Sequence, residues 1–499
     1  MVGNAGEPLE VTDIDELADQ IDCTQELLAT KLRLWVLQIP LPHVPPLILT
    51  VMPLASSTDA TSLAAMEQRL LEVLIASEKP LCIVSLGSDG SVVERDARRA
   101  LVRNGFAELI TYSIPHPEGS QFEDIRIPIL CVCGKHIAII QDPKHGRKTG
   151  RNNLFSGARL LVLGNHTTYY EQVRKLATDA DSPLYWRDVD RLDRQDDRAA
   201  ARLFSASFLS YTISRHGNIN PALPIYLFVI GELVDAYENR YIPHIERVRM
   251  VLRMRFFKSI WKTFLQASGY QENRYFISMD ADDIIDILID GLLALIFIHR
   301  DHLKMCFPLL PWMHGSEANE HVFGLLRSLI PDFTMLDTLR LIPKLNVWLM
   351  AACKAKNVQV DFRNTAAGYS HTYFDANDIP LGVLSQFPSD DEIAQAAIVA
   401  YDEANKLWDL LGYYHHNGGE SSTMPSHAAD GQAVPNSRED ADDLDELEDS
   451  TSRDFDRRAL QEALEYTKHI SGLDSRAQTC LDEYSYAAAC LNFADQEKM

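Results

Sequence analysis

The sequence predicts an α/β protein split by a long, purely helical block. Short apolar runs bounded by proline and glycine fill residues 31–140, which is how strands read. From residue 147 to about 305 those runs give way to long amphipathic patterns. Acidic residues also stand in telling places. Asp89 and Asp142 each follow a strand-like run, and Glu320 falls on the first turn of a later helix.

Two strands are expected at Leu32–Leu37 and Leu47–Met52, separated by the proline-rich turn at 40–46. Residues 59–77 carry Leu63, Met66, Leu70, Leu71 and Leu74 at helical spacing. Leu81–Leu86 reads as the strand that delivers Asp89, and a helix follows over 91–104. Further strands are expected at Tyr112–Ile114, Ile125–Val132 and His136–Ile140. Strands mixed with helices make an α/β layer.

The helical block should comprise patterns at 153–177, 198–215, 223–238, 242–268 and 280–303. Ile284, Ile287, Leu288, Leu292, Leu295 and Ile296 should be buried, because this apolar face is too wide for solvent. Asp286 and Asp290 form a polar stripe suited to pairing with arginine. Residues 320–355 and 390–412 are helical again. Residues 416–456 lack apolar periodicity and read as a disordered acidic linker. A last helical segment spans 457–499.

Composition narrows the function classes. The 499 residues can build two or three domains with a large core. A formal net charge of −24 argues against a broad non-specific nucleic-acid surface, which needs clustered lysine and arginine. Much of that charge is local, in the run Glu439–Asp456. Eight scattered cysteines and an acidic N-terminal stretch predict a reduced, intracellular protein. Cys131, Cys133 and His136 lack a second ligand pair and lie in a strand-like run, so zinc is not expected. The longest apolar stretch, Ile284–Ile298, is about 15 residues, short of the roughly 20 that span a bilayer, and two aspartates interrupt it. No membrane partner is expected.

Three segments together carry a family resemblance. Asp142-Pro143-Lys144-His145-Gly146-Arg147-Lys148-Thr149-Gly150-Arg151-Asn152-Asn153 resembles the D-P-x-H-x-x-K-x-x-R-N-N signature of P-element and THAP-type DDE transposases. Gly87-Ser88-Asp89-Gly90 resembles their S-D-G segment, and Glu317–Arg327 their acid-rich helix. The order agrees over roughly residues 30–412. Phrases such as Asn153-Leu154-Phe155-Ser156-Gly157-Ala158-Arg159 and Leu309-Leu310-Pro311-Trp312 are similar to transposon-derived proteins of mushroom-forming fungi.

The resemblance implies an RNase H-like core interrupted by a helical insertion domain. The divisions are then 1–146 for the N-terminal part of the core and 147–306 for the insertion. Residues 307–415 hold the C-terminal core helix and accessory helices, 416–456 the linker and 457–499 the final segment. It implies Asp89 and Glu320 as the second and third catalytic acids, holding Mg²⁺ or Mn²⁺, and puts Asp142 in the signature that begins the insertion, outside the triad; by its place past a strand end alone, Asp142 is a weaker candidate metal ligand. It also implies DNA as partner and the nucleus as location. The family's first acid belongs on an earlier strand, in an F-D-E or F-D-D setting, which this sequence lacks. The N-terminal DNA-binding module is not found either. The expectation is therefore a truncated, catalytically inactive transposase derivative. Two alternatives stand. One is an active metal-dependent nuclease or strand transferase that uses a substitute acid, Asp142 or one of Asp13, Asp15 and Asp19. The other is a host-adopted scaffold whose helical domain or acidic linker binds proteins.

The same residues have plainer readings. Asp89 can serve the start of the 91–104 helix. Asp142 before Pro143 is a natural N-cap with proline at the first helical position. Ser316 is available to cap the helix bearing Glu320. His145, Lys148 and Arg151 share one helical face and can contact phosphate or nucleotide, although no GxxxxGKS loop is present. His299, His302, His415 and His416 are expected at the surface.

Overall fold

The computed structural model describes residues 29–41, 44–75, 80–119, 122–190, 193–217, 219–354 and 379–414. The expectations for 416–456 and 457–499, and those for Asp13, Asp15, Asp19, His415 and His416, lie outside the described residues. The chain is a mixed α/β protein.

Strands β1 (Lys31–Leu37) and β2 (Leu47–Leu54) pair antiparallel as a two-stranded sheet. Leu34, Ile48 and Val51 join one core cluster, which the register shift between Trp35 and Val36 permits for Ile48 and Val51. Helix α1 (Ala60–Ile75) buries Leu63, Leu71 and Ile75. Strand β3 (Ser85–Ser88) is shorter than the apolar run suggests, because its paired register with β6 begins only at Ser85. Helix α2 (Val92–Arg103) is capped by Ser91, whose hydroxyl accepts from Glu94 N at 3.4 Å.

A meander follows: β4 (Glu108–Ile114), β5 (Ile125–Val132) and β6 (Lys135–Gln141). Its tight turn is Cys133-Gly134, both at positive φ, as a two-residue hairpin requires. Strand β3 joins the outer edge of β6 in parallel register, giving a four-stranded sheet of order β3-β6-β5-β4. Alternation along β6 sets the two layers. Ile137 and Ile139 meet α1 and α2, while Ala138 and Ile140 face the large helical core.

The helices of that core are α3 (Pro143–Phe155), α4 (Tyr170–Ala177), α5 (Asp197–Leu203), α6 (Ala206–His216), α7 (Ala222–Glu238), α8 (His244–Ala267), α9 (Glu272–Tyr275) and α10 (Met279–Phe297). Two expectations need correction here. The 153–177 pattern is not one helix. A hairpin of β7 (Leu161–Leu163) and β8 (His166–Thr168) separates α3 from α4, so this region is not purely helical. The 198–215 pattern breaks at Ser205, which caps α6 by accepting from Phe208 N.

Helix α10 buries Ile284, Leu288, Leu292, Leu295 and Ile296. Ile287 is only half-buried, and Ile285 and Ile289 are buried in its stead. The polar stripe pairs as expected in kind: Asp290 with Arg255 at 2.6 Å and Asp286 with Lys258 at 2.6 Å. A π-helical turn (Ile298–His302) ends the helix. His299 on that turn is buried, with Nδ1 2.9 Å from Leu295 O, so it is not a surface residue. Among the described residues no helix is long and apolar enough to cross a membrane.

Helix α11 (Glu317–Leu329) and α12 (Met335–Lys354) pack on the β1–β2 sheet through Val322, Leu326, Leu345 and Leu349. The helical stretch expected over 320–355 is thus made of two helices. Helix α13 (Asp390–Leu410) lies along α8, where Trp408 Nε1 donates to Phe257 O at 3.1 Å.

One contact fixes how closely α10 approaches the sheet. A Cβ on Gly291 would sit 2.6 Å from Ile139 O and 2.9 Å from Ile140 Cδ1. The first neighbour is backbone and cannot yield cheaply. Gly291→Ala should therefore destabilise the chain by about 1–3 kcal/mol. Gly324→Ala on α11 is the control, since nothing lies within 4 Å of its Cβ position. That change should be neutral or slightly stabilising. Urea midpoints measure both, and equal midpoints for Gly291→Ala and the parent would refute the close approach.

Candidate functional site

The candidate site sits where β3 and β6 end. Ser88 and Gln141 are register partners, so Asp89 and Asp142 emerge side by side from parallel strands. Asp142 N donates to Ser88 O at 3.0 Å and closes the ladder. Pro143 then begins α3, its fixed φ suiting the first helical position.

Asp142 is buried and fully engaged. Its Oδ1 accepts from Lys144 N at 2.8 Å and His145 N at 3.1 Å, the N-cap geometry. Its Oδ2 accepts from Ser316 N at 2.9 Å and Ser316 Oγ at 3.0 Å. Ser316 occupies the N-cap position of α11, but its hydroxyl is turned to Asp142 instead of the helix N–H groups. One carboxylate therefore joins the starts of two helices to the end of the sheet. Gly315 permits this, because a Cβ there would lie 2.8 Å from Asp142 Oδ2.

A second buried group lies beside it. Lys144 Nζ meets Glu317 Oε2 at 3.0 Å, and Glu317 Oε1 faces His321 Nε2 at 3.4 Å. Burial disfavours charge on Lys144, but Glu238, Glu317 and Asp142 outweigh it and raise its pKa. Burial pushes the Glu238 carboxyl up, with Lys144 opposing. Sequence reasoning passed over Lys144 and Glu317. The available signal was their place: two residues after Asp142, and the first acid of the α11 helix.

The remaining expected residues are placed as follows. Asp89 is exposed, and its Oδ1 accepts from Ser91 N at 3.3 Å. It is a turn residue; Ser91, not Asp89, caps α2. Glu320 is half-buried on the first turn of α11, with its N–H donating to Ser316 O at 3.3 Å. Its neighbour Asn319 reaches Leu34 O of β1 at 3.5 Å. Asp89 and Asp142 thus end adjacent strands, and Ser316 ties the start of the helix bearing Glu320 to Asp142. Among the described residues, however, no three His, Cys, Asp or Glu side chains gather closely enough to hold a metal ion. Asp142 also spends both oxygens on four internal donors. Asp142 as placed does not fit a metal centre that needs freely coordinating carboxylates.

The basic face of α3 is also turned inward. Lys148 pairs with Asp197 at 3.3 Å. Arg151 is buried and donates to the carbonyls of Asp193 (2.9 Å), Asp188 (3.1 Å) and Asp190 (3.1 Å), while stacking on Phe155. Burial and the Lys148 charge lower the His145 pKa, with Asp89 and Asp142 opposing. The Arg151 contacts tie the backbone at Asp188, Asp190 and Asp193 to α3.

Behind the site, His314 Nδ1 lies 2.8 Å from Ser85 Oγ. Burial pushes its pKa down to about 3, so it is neutral. Both residues border a cavity of about 370 Å³ beside β3. Neither was singled out from the sequence.

No protein-family model matches the chain. No curated protein matches it either. Among solved structures the chain is similar to the Drosophila P element transposase strand transfer complex. The identity is 13%, the TM-score 0.43, and the match covers 65% of this chain and 71% of that one.

Proposed function

We propose that this chain derives from a DDE-type DNA transposase and that its former catalytic end now serves as a structural clip. The reading starts from the signature at Asp142–Asn153, the Ser88-Asp89-Gly90 turn and the acid-rich Glu317–Arg327 helix. One observation carries the second half: Asp142 accepts four hydrogen bonds from its own chain. A metal ion would have to displace these buried N–H and O–H donors, at about 1–3 kcal/mol for each group left unsatisfied. The net charge of −24 gives no support to a broad DNA track.

The test is direct. The purified chain, with Mg²⁺ or Mn²⁺ and duplex DNA, should neither cleave nor join strands. Metal-dependent cleavage that disappears in Glu320→Ala would overturn the proposal and establish an active nuclease or strand transferase. Partner binding is the second reading. It is favoured by the exposed apolar side chains Val347, Trp348 and Met350 of α12.

A further inference from the structure

We propose that the π-helical turn Ile298–His302 is an acid-sensitive latch, which lets go of the sheet when the histidines around it take up protons. The inference does not depend on how Asp89, Asp142 and Glu320 are read.

His136, His244, His299, His302 and His314 come together around this turn. His302 makes the outer contact. Its ring stacks on His136 of β6, with centroids 3.5 Å apart and planes 14° from parallel. Its Nε2 lies 2.7 Å from the Tyr112 hydroxyl of β4. His299 makes the inner contact. It meets the His314 ring edge-on at 6.0 Å and shares Phe387 with His244, the first residue of α8. His314 reaches Ser85 of β3, and His244 Nε2 lies 2.9 Å from Leu384 O. Imidazole rings thus tie the turn, and the segment after it, to β3, β4, β6 and α8.

These ties suit neutral rings. Two imidazolium ions stacked at 3.5 Å repel each other. His314 Nε2 and His244 Nδ1 are buried with no hydrogen-bond partner among the described residues. A protonated ring carries a donor at each nitrogen, and these two donors would have nothing to accept them. Burial lowers the pKa of His136, His244, His299 and His314, with the Leu384 and Leu295 carbonyls opposing at His244 and His299. Positive neighbours add to it: His302 at His136, Arg247 and His299 at His244, and His299 at His314. Among the described residues no carboxylate offsets this at those four rings. Asp301, Arg300 and Asp390 act on Tyr112 instead.

The backbone is built to give way here. A π turn is an irregular end to an α-helix, of a kind found at functional sites. Lys304 and Met305 follow it at φ 52° and 56°, a left-handed region that such side chains rarely adopt. The segment then runs to Ser316 and the start of α11, so release of the turn loosens the approach to that helix.

Linkage gives the direction. A ring whose pKa is lowered while packed gains a proton on release, so opening is favoured as pH falls below the ordinary histidine value of about 6.5. Well above that value the latch stays shut. His314, held down to about 3, raises the opening constant about tenfold between about pH 7.5 and pH 5.5 on its own.

The test is hydrogen exchange on the full chain at about pH 7.5 and pH 5.5, corrected for the intrinsic exchange rate. Protection at residues 299–314 should fall at least about tenfold, while residues 251–264 within α8 keep theirs. A double variant, His302→Gln with His314→Asn, keeps polar atoms toward Tyr112 and Ser85 but cannot titrate there. Its loss of protection should be at least about threefold smaller than the parent's. His166→Gln, on the β7–β8 hairpin, should respond as the parent does, although burial also lowers the pKa of that ring. Equal protection of 299–314 at both pH values would overturn the proposal. So would a loss shared by the whole chain, which is ordinary acid unfolding, or a double variant with the parent's full response. The unaltered chain decides the first two outcomes even if the double variant fails to fold.

Discussion

Replacing Asp142 with alanine should cost about 3–5 kcal/mol of stability, the range seen when a buried hydrogen-bonded charge is removed and its partners are stranded. The change removes the acceptor for Lys144 N, His145 N, Ser316 N and Ser316 Oγ together. Asp142→Asn should lose less, because its carbonyl oxygen can keep one pair of donors while its amide nitrogen cannot accept the other. Urea unfolding of the two variants measures the difference. Hydrogen exchange should also show the first turn of α11 opening in both. If Asp142→Ala unfolds at the parent midpoint, the clip contributes nothing and the carboxylate must be held for another purpose. An Asp142→Asn variant less stable than Asp142→Ala would equally contradict the donor count.

Arg151→Ala should have the next largest effect, about 3 kcal/mol, by loss of several charge-assisted hydrogen bonds and a buried stacked side chain. The guanidinium ties the carbonyls of Asp188, Asp190 and Asp193 to α3 while lying on Phe155. Arg151→Lys should recover little, since one ammonium cannot span three acceptors set for a planar fork. Urea midpoints and exchange at residues 186–190 give the readout. A fully stable Arg151→Lys would show that the charge alone matters and that the fork geometry does not.

These two residues also mark what could be read from the sequence. Asp142 before Pro143 announced an N-cap, because that chemistry is local. Its bonds to Ser316 were invisible, since 174 positions separate the two. Arg151 was taken with His145 and Lys148 as a basic face open to phosphate. Periodicity located it on a helix but could not say that the carbonyls of Asp188, Asp190 and Asp193 hold Arg151 and that Asp197 pairs with Lys148. Helices α7, α8, α10 and α13 were legible because each spans several turns. The β7–β8 hairpin was missed because its strands are three residues each, too short for a pattern. Its Gly164-Asn165 turn was the available clue. His299 looked like a surface residue beside Arg300 and Asp301. A π-helical turn rotates it inward instead.

The long reach of the Asp142–Ser316 bond has a consequence in time. The chain between them includes nearly all the helices of the large core, and these must be compact before the two residues can meet. The bond is therefore expected to close late, and its loss should accelerate unfolding far more than it slows folding. During synthesis this end of the sheet stays open until residue 316 has left the ribosome, and for that interval the helical block folds without it.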